Sequence, residues 1–305
     1  MKRSSTGRWM ALVVLVAMMA SGLFLWERPL TVFSLFTEAG MFLHGASSRY
    51  TVVDGYRIHY YAMGPAKGEV VVLVHGLGGE SEDWENLAPY IAKAGYRVYI
   101  PDLPGYGRSA RPEDFSYSVT DEAKVVVGFL DVLGLKRVDL GGWSMGGWIV
   151  QILAAKHPER VQRLMLFDSA GLSVKPDWNT KLFTPVSALQ LDELDKLLMP
   201  NPPHLPGFVA RDVLRVSREH AWVIRRALDS MLTGRETTDK LLPQLRMPVL
   251  IVWGEVDHIT PLSQGEEMHQ FIPQSELDVI RGCGHLAPRE CAGKVAPFVI
   301  NFVRR

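Results

Sequence analysis

The segment Gly142-Trp143-Ser144-Met145-Gly146 limits what this chain can fold into more than any other stretch. An apolar run containing Val138 and Leu140 precedes it, short enough for a buried strand, and Ile149, Val150, Ile152, Leu153 and Ala154 continue beyond it as a helix. A strand that turns sharply into a helix needs small residues flanking the turn, because side chains there would collide with the adjoining elements. The serine between the glycines would then project its hydroxyl from the top of a sheet. The following helix would aim backbone N–H groups, including that of Met145, at the same point, where negative charge is stabilised.

The remainder of the body supplies the sheet. Residues Tyr50 to Met63 alternate about Asp54-Gly55, which predicts two antiparallel strands joined by a tight turn. Val70 to Val74 is a continuous apolar run of the kind buried on both faces. A helix is expected from about Glu82 to Ala94, a strand from Arg97 to Ile100, a helix from about Asp121 to Leu133, and a strand from Leu164 to Phe167 that ends at Asp168. Strands and helices in alternation predict a mainly parallel sheet covered on both faces. Residues 172–236 break the alternation with 65 residues and no clear strand. Leu189, Leu191, Leu194, Leu197 and Leu198 are spaced for a helix, and two more helices are expected around Val209 to Val216 and Ala221 to Leu232. Such an insertion would lie over Ser144 as a helical lid, with Trp178, Phe183, Phe208 and Val209 available to line an apolar pocket. The sheet resumes at Val249 to Trp253 and about Glu276 to Ile280, and a helix from Val295 to Phe302 closes the chain, so residues 50–171 and 237–305 form the expected core.

At the N-terminus, Lys2, Arg3 and Arg8 precede an uncharged, mostly apolar stretch over residues 9–26, near the minimum length of a spanning helix. Tryptophans at both its ends resemble interfacial anchors, so an uncleaved membrane anchor is expected, with a cleaved signal peptide as the alternative. The basic flank would stay in the cytoplasm and place the body on the non-cytoplasmic side. Residues 27–49 read as an apolar linker whose Leu30 to Leu43 portion would either lie in a membrane interface or pack on the body. With 33 Lys plus Arg against 33 Asp plus Glu, no net charge draws the chain to nucleic acid. Cys283 and Cys291 match no zinc spacing and are expected as free thiols, and no grouping of residues suggests a metal.

Acyl transfer by a serine needs a base to take the hydroxyl proton and an acid to orient the base and steady its charge. The chain offers Ser144, Asp257 and His285 in that order, the last two on loops just beyond strands, at the edge where Ser144 emerges. Asp168 is the rival acid, since it follows the preceding strand. In His75-Gly76-Leu77-Gly78-Gly79 the glycines let backbone approach a ligand, and Leu77 N–H would join Met145 N–H in holding an oxyanion. Asp102, in Asp102-Leu103-Pro104-Gly105-Tyr106-Gly107, has a structural explanation: its carboxylate would hydrogen-bond the amides of its own turn.

Together His75-Gly76, Asp102 to Gly107, Gly142 to Gly147, Gly254-Glu255-Val256-Asp257 and Gly284-His285 resemble the α/β-hydrolase superfamily from about Tyr50 to Arg305. The resemblance implies a mostly parallel eight-stranded sheet with the lid inserted after strand 6. It also implies Ser144 as nucleophile, His285 as base, Asp257 as orienting acid, Leu77 and Met145 as oxyanion donors, and no cofactor. The N-terminal stretch, Phe167-Asp168-Ser169-Ala170-Gly171 and the lid pattern are similar to the membrane-anchored monoacylglycerol lipase and bacterial lipase-esterase branch, which implies lipophilic carboxylic esters such as acylglycerols. Trp143 departs from the smaller residues common before the serine in that branch and resembles some short-chain carboxylesterases; with Phe183 and Phe208 it is assigned to the substrate pocket. Carbon-carbon bond hydrolases and thioesterases share the triad and stay open as alternatives, as does a silent membrane-tethered binding protein on the same fold.

Overall fold

A computed structural model of the protein describes residues 22–305. Eight strands form one sheet in the order β1-β2-β4-β3-β5-β6-β7-β8. The edge hairpin is β1 (Ser47–Val53) and β2 (Tyr56–Met63), closed by Asp54 and Gly55, both at positive φ as a tight hairpin turn requires. β2 also pairs antiparallel with β4 (Arg97–Pro101). From β4 onward every pairing is parallel, through β3 (Val70–Val74), β5 (Val138–Trp143), β6 (Val161–Phe167), β7 (Val249–Gly254) and β8 (Ser275–Ile280). The valine-rich β3 and β7 have helices over both faces, which is why they read as continuous apolar runs rather than alternating ones.

The strands alternate with helices that cover the two faces. In chain order these are α1 (Pro29–Leu43), α2 (Ala88–Lys93), α3 (Val119–Val132), α4 (Met145–Lys156), α5 (Ala188–Leu198), α6 (Gly207–Met231), α7 (Leu262–Phe271), α8 (Ala287–Glu290) and α9 (Ala292–Val303). Ser118 caps α3 by accepting the Asp121 amide, and Ser187 caps α5 by accepting that of Gln190. The segment expected as one helix over Glu82 to Ala94 is instead a short 3-10 turn, Ser81–Trp84, followed by α2, where Pro89 sits at a helix start that tolerates it. The two helices expected around Val209 to Val216 and Ala221 to Leu232 are one continuous α6. No Gly or Pro separates them, so nothing in Ser217-Arg218-Glu219-His220 ends the helix.

Two expectations are corrected. Among the described residues no helix is long and apolar enough to cross a membrane, which corrects the expected spanning helix as far as it falls on them, at residues 22–26, and leaves the non-cytoplasmic placement of the body without support. Residues 9–21 of that stretch lie outside the described residues. The linker that follows is α1, and it packs on the body: Met41 and Thr37 are buried, the Leu30 amide donates to Asp212 on α6 at 3.0 Å, and Glu38 accepts from Arg108 at 2.6 Å. Cys283 and Cys291 are not free thiols but a disulfide. A spacing of eight says nothing about the path between them; here the chain turns back through α8 and brings the two sulfurs together around the loop that carries His285. Closing so short a loop is worth about 2–3 kcal/mol on chain-entropy grounds. Thiol titration of denatured protein should therefore find no reactive cysteine before reduction and both after it. Free thiols in the unreduced protein would refute the bridge.

Candidate active site

Ser144 sits between the last residue of β5 and the first of α4, with φ 55° and ψ −118°. Backbone of this kind is strained for a serine and persists only where its surroundings force it. They do so here by close approach. A Cβ on Gly142 would run into the Gly146 backbone, and one on Gly146 into the carbonyls of Val74 and His75. The Ser144 amide donates to Phe167 O at 3.0 Å, which ties the turn to the neighbouring strand.

The three residues selected from the sequence meet. His285 Nε2 lies 2.9 Å from Ser144 Oγ, and His285 Nδ1 lies 2.8 Å from Asp257 Oδ2. His285 and Asp257 are buried, while Ser144 remains partly exposed. Asp257 is held as an ionised acceptor on all sides: Oδ1 takes the amides of Ile259 and Thr260 at 2.8 and 3.0 Å, and Oδ2 takes the Thr260 hydroxyl at 2.7 Å. A carboxylate fixed in this way orients Nδ1–H toward itself and leaves Nε2 free to accept the serine proton.

Asp168 is close by but holds a different position. Its Oδ1 accepts the Gly254 amide at 2.6 Å, whereas Oδ2 is buried without a hydrogen-bond partner among the described residues. Burial first, and the neighbouring Asp257 second, push its carboxyl well above the usual range, which favours its neutral form. The geometry gives the histidine to Asp257.

Leu77 lines both cavities that reach Ser144, and Met145 follows Ser144 as the first residue of α4. Met145 N–H is the first amide of α4, which has no partner within the helix. The Gly76 carbonyl is held by His75 Nδ1 at 2.8 Å and by the Gly79 amide at 3.1 Å. Because the peptide is trans, Leu77 N–H points to the opposite side. The tautomer of His75 follows from its partners. Nε2 accepts the Leu103 amide at 3.1 Å, so Nδ1 carries the proton, and burial holds the imidazole below its ordinary pKa, in the neutral form this arrangement needs.

Two cavities meet at Ser144. One, of about 430 Å³, is lined by Leu77, Trp148, Trp178, Phe183, Leu228 and Ile259 among others. The second, of about 420 Å³, includes Trp143, Leu191, Leu198, Val216, Ile224 and His285. Phe183 belongs to both, as expected for a pocket residue. Phe208 belongs to neither: its ring stacks on Trp26 at 4.7 Å, near the start of α6, and its assignment to the pocket is withdrawn. Trp143 lines the second cavity but also donates its indole N–H to the His285 carbonyl at 2.7 Å, a role the sequence did not suggest. Thr260 was likewise missed. Its hydroxyl lies 3.2 Å from His285 Nδ1 as well as on Asp257, and the only prior signal was its place three residues after the acid. Asp102 performs the structural task expected of it, accepting the amides of Arg108 at 2.9 Å and Ser81 at 2.6 Å.

A profile described as the alpha/beta hydrolase fold matches residues 69–222 and 234–289. Lipase 1 of Psychrobacter immobilis is 28% identical over 261 residues, covering 81% of this chain and 80% of that protein. A 2-hydroxy-6-oxononadienedioate/2-hydroxy-6-oxononatrienedioate hydrolase of Klebsiella pneumoniae is 31% identical over 284 residues, covering 85% of this chain and 96% of that one. Among solved structures, that of a membrane phospholipase A, described as a bacterial virulence factor, superposes with a TM-score of 0.82 at 26% identity, covering 98% of this chain and all of the other.

The two carboxylates predict opposite responses to amidation. Asp257→Asn should lower kcat about 10⁴-fold, because an amide favours the wrong imidazole tautomer. Asp168→Asn should change kcat less than tenfold, since an amide resembles the neutral acid already present. It should also stabilise the fold as pH rises: a carboxyl whose folded pKa is raised contributes stability at low pH that is lost as pH climbs toward that value, and the amide abolishes the loss. Kinetics and thermal melts of both variants between pH 5 and pH 8 would show it; the reverse ranking in kcat would move the acid to Asp168.

Proposed function

This chain belongs to the alpha/beta hydrolase family, and on that premise we propose that it is a serine hydrolase of lipophilic carboxylic esters, acting through an acyl-enzyme. The observation that carries the reading is the continuous line of hydrogen bonds from Asp257 through His285 to Ser144, ending between two apolar cavities.

In the first half-reaction the Ser144 hydroxyl gives its proton to His285 Nε2 as Oγ attacks the ester carbonyl, and Asp257 steadies the imidazolium that results. The carbonyl oxygen becomes an oxyanion that the amides of Leu77 and Met145 would hold. His285 then protonates the departing alcohol. In the second half-reaction His285 deprotonates a water, which attacks the acyl-serine, and the acid leaves as Ser144 recovers its proton. Lipophilic substrates are supported by the walls: both cavities have Leu, Ile, Val, Phe and Trp among their lining residues. The similarity to a lipase and a phospholipase A agrees with this reading. The helical span from residue 172 to residue 236 would serve as the lid, since Leu191 and Leu198 on α5 and Val216, Ile224 and Leu228 on α6 supply much of both linings.

One observation favours a second reading, hydrolysis of a carbon-carbon bond: the 31% identity to the Klebsiella pneumoniae hydrolase is higher than the 28% to the lipase. Against it stands the scarcity of free cationic groups for a dianionic substrate: Lys175 is the sole charged side chain lining the first cavity, and Arg289, which lines the second, is paired with Asp83 at 2.9 Å.

Hydrolysis of p-nitrophenyl esters from acetyl to palmitoyl, beside Ser144→Ala, tests the proposal. The expected outcome is a maximum at medium or long acyl chains and a loss of about 10⁶-fold in kcat for the variant, the size seen when a triad serine is removed. Turnover of ring-fission dienoates with none of the esters would establish the second reading instead, and esterase activity surviving in Ser144→Ala would remove the nucleophile.

A further inference from the structure

A second serine in this molecule is wired as Ser144 is. Ser48 on β1 and His59 on β2 lie diagonally across the hairpin, since Ser48 pairs with Tyr61 and Tyr50 with His59, and the Ser48 Oγ to His59 Nε2 distance is 2.8 Å. On the other side of the ring, His59 Nδ1 is 2.7 Å from Asp102 Oδ2. The corresponding distances at Ser144 are 2.9 and 2.8 Å. His59 and Asp102 are buried, and Ser48 is partly exposed, the same gradient as in the first set.

The direction of each hydrogen bond follows from the charge on Asp102. Burial works against that charge, but His59, His75 and the Arg108 amide hold the carboxyl below its usual range. An ionised carboxylate only accepts, so Nδ1 is the donor, Nε2 carries the lone pair, and the Ser48 hydroxyl donates to it. The ring cannot swing away. Tyr50 and Tyr61 pack on it at 5.1 and 4.9 Å between centroids, the His59 amide donates to Ser109 Oγ at 2.9 Å, and the His59 carbonyl accepts the Asp102 amide at 2.9 Å.

We propose that Ser48, through His59 and Asp102, is a second activated serine of this protein and a site of covalent modification by activated acyl or phosphonyl donors. In the step, Ser48 Oγ–H passes its proton to His59 Nε2 while Oγ bonds to the acyl carbon or phosphorus. The donor's leaving group departs with its bonding electrons, and no oxidant or cofactor is needed. What separates Ser48 from Ser144 is the surrounding backbone. It lies within an extended edge strand, not at a helix start facing a glycine loop, so no paired amides converge on a developing oxyanion. Loss of one such donor alone slows acyl transfer on the order of 10²–10³-fold. Ser48 is accordingly a site that becomes acylated slowly and keeps its group, rather than one that turns over.

The test uses the full chain with Ser144→Ala and a fluorophosphonate, read by intact mass and peptide mapping. One phosphonyl group is expected on Ser48, at a rate on the order of 10³-fold below that of Ser144 in the unsubstituted protein, and none in Ser144→Ala/Ser48→Ala. The adjacent Ser47, whose hydroxyl donates to the Ala62 carbonyl instead of to an imidazole, is the internal control and should stay unmodified. Ser144→Ala/Asp102→Asn should label at least tenfold more slowly; where that variant does not fold, the comparison of Ser48 with Ser47 decides. Absence of label from Ser48 after prolonged exposure, or equal labelling of Ser47, overturns the proposal. Labelling of Ser144 in the unsubstituted protein is a separate result and bears on the ester-hydrolase reading alone.

Discussion

The strained turn at Ser144 is what the rest of the structure depends on. A non-glycine residue at φ 55° costs about 1–3 kcal/mol, and that cost is met by the packing of β5 and α4 against β3 and β6 on either side. The return is geometric. The turn lifts the hydroxyl out of the sheet, starts α4 directly beneath it, and leaves Met145 N–H unspent. Gly142 and Gly146 are small because backbone passes where their Cβ atoms would be. Parallel strands then deliver the remaining groups: the loops after β7 and β8 leave the same edge of the sheet as the turn after β5, so Asp257 and His285 reach Ser144 without any long excursion of chain.

Around that turn, charge is distributed by hydrogen bonding more than by burial, for both acids near His285 are buried. Asp257 collects two amides, a hydroxyl and an imidazole, whereas Asp168 accepts the Gly254 amide and its Oδ2 meets no hydrogen-bond donor among the described residues. Two carboxylates this close cannot both be ionised at low cost, and the one with more donors keeps the charge. His75 obeys the same logic in reverse: buried between an amide donor and a carbonyl acceptor, it is satisfied only when neutral, and in that state it fixes the peptide that carries Leu77 N–H.

Much of this was legible beforehand because it rests on local rules. Asp54-Gly55 announces its hairpin, the run Val70 to Val74 its buried strand, and the glycines around Ser144 their turn. What escaped depends on contacts distant in sequence. The apolar stretch Leu30 to Leu43 carries no sign of what it packs against, and Asp212, which receives its first turn, lies 182 residues away. Phe208 is expected in the pocket as an apolar residue of the insertion, but apolar character does not name a partner, and the partner is Trp26. The disulfide needed the path of the chain through α8, and the Trp143 to His285 bond needed the register of two loops. The pairing of Ser48 with His59 is invisible until the hairpin register is known, since a shift of one residue would send the two side chains to opposite faces.

In the proposed reaction, catalysis passes through an ester bond to Ser144. Acid quenching during turnover of a medium-chain p-nitrophenyl ester, followed by peptide mass analysis, tests it most directly. The expected product is a Ser144 peptide heavier by the acyl group, accumulating within the time of a pre-steady-state burst of nitrophenol. Turnover at full rate with the Ser144 peptide unmodified, or an acyl group residing only on another residue, would contradict it.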